Sequence, residues 1–187
     1  MITTPYLSQN RLREIAEAFL ARYHPSGTLP IPIEEIAEFS LGLEIVPIHS
    51  LQSSLKIDGF LSNDRQRITV DNDVMRKCVT RYRFTLAHEI GHRALHTLFI
   101  RAQRYTNAAQ WRVAMTAIPG ETQKRLEFQA NWFANFVLVP ANSLEEEIAH
   151  LKADGYSEGV VPTLASTFGV SAAVIDRRLM WLSTANS

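Results

Sequence analysis

The sequence predicts an α+β domain, with helices first, a small sheet next and helices again. Three observations carry that prediction. Apolar residues recur at helical spacing near the start, as Leu12, Ile15, Ala16 and Phe19, and again in RLEFQANWFANFVLV at 125–139. Between these segments lie three strand-like pieces, LEIVPI (43–48), KIDGFLS (56–62) and RQRITV (65–70). No internal repeat, low-complexity run or linker interrupts the order.

Taken in order, Ser8 is the cap of a first helix running to about Tyr23. Pro25, Gly27, Pro30 and Pro32 break the chain before a short second helix, IPIEEIAEFSLG, with Ile33, Ile36 and Ala37 inward and Gly42 as its stop. Asn63-Asp64 is the turn of a hairpin joining the second and third strands. The DND at 71–73 ends the last strand and caps the next element, a helical pattern from about Val74 to Phe99. Residues 100–125 are polar and broken by Pro119-Gly120; the apolar helix after them stops at Pro140. A charged helix (142–152), a loop, and two short helices around Gly169 complete the chain. Residues 1–160 form the main domain, and 161–187 a helical hairpin packed on it rather than an independent unit.

Composition excludes several classes. The formal net charge is zero, which argues against a surface built to hold nucleic acid or anionic membrane. The single cysteine, Cys78, permits no disulfide within the chain and fits a reducing compartment. The first twenty residues lack the continuous apolar core of a signal peptide, and no stretch approaches the ~20 apolar residues that span a bilayer. The expected location is the cytoplasm, with no membrane partner.

The chemistry lies in FTLAHEIGHRALH (84–96). Positions i and i+4 of a helix stack on one face about 6 Å apart, so His88 and His92 can direct imidazole nitrogens at one zinc ion. Glu89, about 100° around the axis, misses the metal but reaches a water beside it, the place of a general base. The bland alternative is a helix that happens to carry histidines. Gly91 speaks against it, because a mid-helix glycine costs about 1 kcal/mol relative to alanine unless a neighbour needs the room.

A catalytic zinc site takes three protein ligands and keeps one position open. His96 is excluded as the third, since eight residues of helix rise about 12 Å; it is expected to be a buried or capping histidine. Glu127 is the other candidate. It shares a face with Ala130, Asn131 and Ala134, whose small alanines let two helices lie close, and Asn131 can orient a ligand by an outer hydrogen bond. The competing reading makes Glu127 a cap at the positive end of its helix.

The pairing of RYRFTLAHEIGHRALH with EFQANWFANFVLVP resembles the ImmA/IrrE-type zinc metallopeptidases. Arg83, Phe84, Thr85, Ala87, His88, Glu89, Gly91, His92 and His96 match the first motif of that family, and Glu127, Ala130, Asn131, Phe133, Ala134 and Pro140 match the second. The resemblance implies a gluzincin-like fold, in which a small mixed or antiparallel sheet packs against the HExxH helix and the ExxAN helix. It implies His88, His92 and Glu127 as metal ligands, Glu89 as the catalytic general base, and Zn²⁺ as the cofactor, with Mn²⁺ also compatible. It further implies a protein substrate such as a helix-turn-helix repressor. Residues 97–126 depart from the family pattern in length and polarity, which leaves the cleft rim, and so the substrate, unassigned.

Weaker signals remain. In the tail, Ala165, Gly169, Ser171 and Ile175 fall at helix-turn-helix spacing. The second helix begins Ala172, Ala173, Val174 and offers only Arg177 and Arg178, poor equipment for reading bases, so direct nucleic-acid binding is not expected. The KIDGFLS strand is either an edge that pairs with a substrate backbone or an inner strand. Arg81 and Arg83 either hold an acidic partner or are solvated. The region of Trp111 can line a cleft, and Tyr156 and His150 are candidate oxyanion stabilisers that sequence cannot bring to the metal. The expected function is a metal-dependent endopeptidase. The alternatives are a non-hydrolytic regulator that keeps the metal site while holding DNA or a partner, and a purely structural site closed by a fourth ligand.

Overall fold

The first helix starts where its cap predicts. Helix α1 (Gln9–Tyr23) follows Ser8, whose hydroxyl accepts the Arg11 N–H at 3.2 Å, and it buries Leu12 and Ala16. Helix α2 (Ile33–Glu35) runs on into a π-helical turn, Ile36–Ser40, that buries Ile36 and Ala37 and ends before Gly42 at a φ of +63°. The computed structural model describes residues 4–153 and 159–185.

Three strands form one mixed sheet in the order β1-β3-β2: β1 (Glu44–Ile48) lies parallel to β3 (Arg67–Asp71), and β2 (Gly59–Leu61) lies antiparallel to it. The KIDGFLS strand is therefore an edge strand and shorter than its alternation suggests. Residues before it fold instead as α3 (Leu51–Leu55), between Ser50 and Lys56 in left-handed conformations. Asp71 makes this possible. One of its oxygens accepts the Gln52 N–H at 2.8 Å, while the other accepts the Asp73 and Val74 N–H groups and so caps α4 (Asn72–Lys77). Burial would raise this carboxyl, but those backbone donors hold it below the usual carboxylate range.

The single helix expected over 74–99 is three: α4, α5 (Val79–Leu95) and α6 (Thr97–Ala102). Helix α4 packs on β1 and β3, while α5 packs chiefly on the later apolar helix and also on β2 and β3, and the chain turns at Cys78 and His96 between the segments. The polar stretch 100–125 is largely helical. It holds α7 (Ala108–Thr116), capped by Asn107, and the first turns of α8 (Gly120–Leu138). Helices α9 (Ala141–Ala153), α10 (Val160–Phe168) and α11 (Ala172–Ala185) complete the described chain.

Helices α5 and α8 are packed together at the centre, and the core gathers Leu12, Ile68, Leu86, Ile90, Phe133 and Val137 around them. A Cβ added to Gly91 would lie 3.1 Å from the Phe133 ring and 3.2 Å from the Ala130 backbone. The room left by this glycine is filled by α8. A smaller cluster of Leu51, Phe60 and Tyr105, with Trp111 and Met115, attaches α7 to the sheet.

Leu164, Phe168, Val174, Ile175 and Trp181 of α10 and α11 are buried in the same core as α5 and α8. Arg83 joins tail to body: Nε donates to the Gly169 carbonyl at 2.9 Å and a terminal nitrogen to the Ile31 carbonyl at 2.7 Å. Arg83 is thus half-buried and engaged within the chain. Arg178 is fully buried, with its guanidinium against the rings of Phe136 and Trp181 and Nε donating to the Val139 carbonyl. Among the described residues, no helix is long and apolar enough to cross a membrane.

Candidate metal centre

On α5, the helical repeat places His88 and His92 one turn apart, and their Nε2 atoms face each other at 3.0 Å. Glu127 does not cap α8, which begins at Gly120, seven residues earlier. Its carboxylate reaches across to α5, 3.3 Å from His88 Nε2 and 3.5 Å from His92 Nε2. The alanine face that sequence spacing singles out allows this approach: Ala130 and Ala134 are fully buried where the helices cross.

The donor chemistry fits a divalent cation. Two imidazole nitrogens and a carboxylate are a common zinc donor set, and bonds of about 2 Å set tetrahedral ligands roughly 3.3 Å apart. His88, His92 and Glu127 match that mutual spacing, with all candidate ligand atoms within 4.8 Å of one another. Their far sides are already engaged. His88 Nδ1 lies 3.2 Å from Asn131 Oδ1, the outer hydrogen bond expected of Asn131, and His92 Nδ1 lies 2.9 Å from His96 Nδ1. Both Nε2 atoms are thereby left for the cation.

Charge is balanced within the group. Burial would lower the His88 ring, but Glu127 and Glu89, with the Asn131 oxygen, raise it above its ordinary value. Burial would raise the Glu127 carboxyl, but His88 and His92 hold it well below the usual carboxylate range. His96 is different. It is 2% exposed, and burial, then its neighbour His92, push its ring down to about 3.

Glu89 lies beside this group, buried, with Oε2 accepting the Leu61 N–H of β2 at 2.9 Å. The Leu61 carbonyl accepts the Tyr105 hydroxyl at 2.7 Å. A cavity of about 270 Å³ opens in front, with His88, Glu89, His92, Glu127 and Asn131 on its polar side. Phe84, Trp111, Met115, Ile118 and Leu126 supply apolar wall.

The family model described as the IrrE N-terminal-like domain, Peptidase M78, matches residues 40–180. The chain belongs to this family. It is also similar in fold to a solved structure, a Mycobacterium tuberculosis transcriptional regulator, with a TM-score of 0.61 and 18% identity over 93% of this chain and 47% of that one. The chain thus spans about half the length of that structure. No protein of curated function matches it.

Within this IrrE-like domain, the sequence-derived candidates divide clearly. His88, His92, Glu127, Glu89 and Asn131 meet at one cavity, and Trp111 lines it as expected. Arg81 is paired with Asp58, itself on the cavity rim, and so is engaged within the chain. His150 is solvent-facing on α9, 3.9 Å from Glu147 and absent from the cavity lining. Tyr156 lies outside the described residues. Sequence reasoning missed Tyr105 and Gln129. Tyr105 is an isolated aromatic in a polar stretch, the one signal that could have marked it; Gln129 gave none, since its partners are remote in sequence.

Proposed function

We propose that this chain is a cytoplasmic, metal-dependent endopeptidase of gluzincin-like architecture, with His88, His92 and Glu127 holding a Zn²⁺ or Mn²⁺ ion. The observation that carries the reading is the convergence of two α5 imidazoles and one α8 carboxylate beside a buried glutamate at an open cavity. When bound, the ion supplies Lewis-acid polarisation of the scissile carbonyl and makes water acidic enough to attack near neutral pH.

The chain's own residues do the rest. The Leu61 N–H holds Glu89 Oε2, which leaves Oε1 free to act as general base toward water in the cavity. It takes one proton from that water as the oxygen bonds to the carbonyl carbon, then returns it to the amide nitrogen as the C–N bond breaks. Asn131 and His96 keep the two ligand rings in place through their Nδ1 atoms. Gly59 of β2 lines the same cavity, where an extended peptide would meet that strand. The apolar wall favours a bulky apolar side chain next to the cleaved bond.

A regulatory protein, such as a helix-turn-helix repressor, is the proposed substrate, and its cleavage would release stress or mobile-element genes. The likeness to a structure named as a transcriptional regulator supports a place in gene control. It equally favours a second reading, in which the same cavity holds a partner without cutting it. Residues 161–187, a helix-turn-helix-like pair, act in either case as a packed part of the domain; with Arg178 buried, direct DNA contact is not proposed.

Incubating a diverse peptide library with the Zn²⁺-loaded chain, and mapping new termini by mass spectrometry, tests the reading. Cleavage beside bulky apolar residues, lost in Glu89→Gln and on chelation, is the expected result. Equal products from wild type and Glu89→Gln, with metal bound to both, would leave only the partner-holding reading.

A further inference from the structure

A chain of hydrogen bonds leads away from the metal group through buried side chains to the segment preceding α1. His92 Nδ1 is 2.9 Å from His96 Nδ1, and His96 Nε2 is 2.9 Å from Gln129 Oε1. The Gln129 amide nitrogen donates to the Pro5 carbonyl at 2.7 Å. One turn back on α8, Arg125 donates to the Thr4 carbonyl at 2.8 Å, so the same helix face holds both residues of the segment. His96 is 2% exposed and Gln129 fully buried, so water does not compete for these bonds.

The chain has only one consistent direction. A backbone carbonyl can only accept, so the Gln129 NH₂ must face Pro5 and its oxygen must face His96. That oxygen can only accept, so His96 carries its proton on Nε2. His96 is buried with no carboxylate in hydrogen-bond contact, so it is neutral and its Nδ1 is a bare acceptor. His92 must then carry a proton on Nδ1, which makes Nε2, facing His88 and Glu127, the nitrogen that can bind the ion. The other polarity would set two donors or two acceptors against each other at one of these buried contacts.

Taking as given that His88, His92 and Glu127 hold the ion, we infer that Gln129 and His96 are positioning residues, which with the Pro5 carbonyl lock His92 in its metal-binding tautomer. The metal centre thereby extends some distance from the cavity and includes the segment ahead of α1. Docking of that segment and uptake of the ion are coupled, so each strengthens the other.

Two measurements on the full chain test this. In the metal-free protein, ¹⁵N–¹H correlation spectra of the imidazoles report which nitrogen of His92 is protonated. We expect Nδ1 in wild type, and loss of that preference in Gln129→Met and His96→Leu. Zinc affinity, read by competition with a chromophoric chelator, should fall roughly 10–100-fold in both variants. His96→Gln, whose amide oxygen again accepts from His92, should recover most of the loss; a merely space-filling role would not predict that recovery. A His92 protonated at Nε2 but not at Nδ1 in wild type, or wild-type zinc affinity in both folded variants, overturns the inference. If wild type takes up no zinc, the metal-site reading falls, and the tautomer spectrum still decides the relay.

Discussion

Gly91 on α5 and Ala130 on α8 are so close that a methyl group on the glycine would lie 3.2 Å from both the Cα and the carbonyl oxygen of the alanine. The neighbours are helix backbone and the fully buried Phe133 ring, so relief requires moving α8 itself. Overpacking of this kind costs about 1–3 kcal/mol, against a gain of about 1 kcal/mol in helix propensity. Gly91→Ala is therefore expected to lower stability by about 1 kcal/mol in urea unfolding. By shifting Glu127 away from the imidazoles, it should weaken zinc binding as well.

Glu127→Gln removes a charged ligand, not an outer hydrogen bond. Its zinc dissociation constant should rise by more than the roughly 10–100-fold of an outer-sphere change. The metal-free variant loses the pairing of this carboxylate with His88 and His92, but the side chain is 48% exposed and screened by solvent, so the melting temperature should fall only slightly. In wild type, zinc at about 100 times its dissociation constant should add about 2.7 kcal/mol of stability, removed by chelation. An unchanged melting curve with and without zinc would contradict the assignment of the site.

His96 makes stability depend on pH in a defined direction. Burial, then the nearby His92, lower its ring from 6.5 to about 3. Between those values the unfolded chain binds a proton that the folded chain does not, so this contribution is complete above pH 6.5 and is lost as pH falls toward 3. His96→Leu should be less stable than wild type at pH 7, with the gap narrowing as urea unfolding is repeated at pH 6, 5 and 4. A gap that widens on acidification would show that the ring is charged in the folded state.

Arg178 has two terminal nitrogens without a partner despite complete burial. A buried, incompletely paired charge is often replaced by an apolar chain at little cost, whereas a void is not. Arg178→Met should change unfolding free energy by no more than about 1 kcal/mol, and Arg178→Ala should cost about 2–5 kcal/mol. Neither substitution should alter retention on DNA, because the guanidinium does not reach the surface.

Much of the site was legible from local rules. The i, i+4 spacing of His88 and His92, the position of Glu89, the Ser8 and Asp71 caps and the alanine face of Glu127 follow from helix geometry and nearby side chains. What local rules did not reach has a common cause. LQSSL folds as α3 where Asp71, nineteen residues beyond Gln52, accepts the Gln52 N–H. The helix over 74–99 breaks at Cys78 and His96, with α5 alone packed extensively on α8. Residues 108–116 fold as α7 where Trp111 meets Phe60 of the sheet, a contact no local window contains.

By itself, then, the sequence determined the broad order of helices, sheet and helices and the paired histidines with their neighbouring glutamate, since an α-helix repeats every 3.6 residues whatever surrounds it. Only the tertiary structure decided that Glu127 closes on those histidines, that Leu61 N–H holds Glu89, and that Gln129 joins His96 to the Pro5 carbonyl. The bonds from Leu61 to Glu89 and from Gln129 to Pro5 join residues 28 and 124 positions apart. Such contacts exist only once the α5–α8 crossing and the core around it have formed.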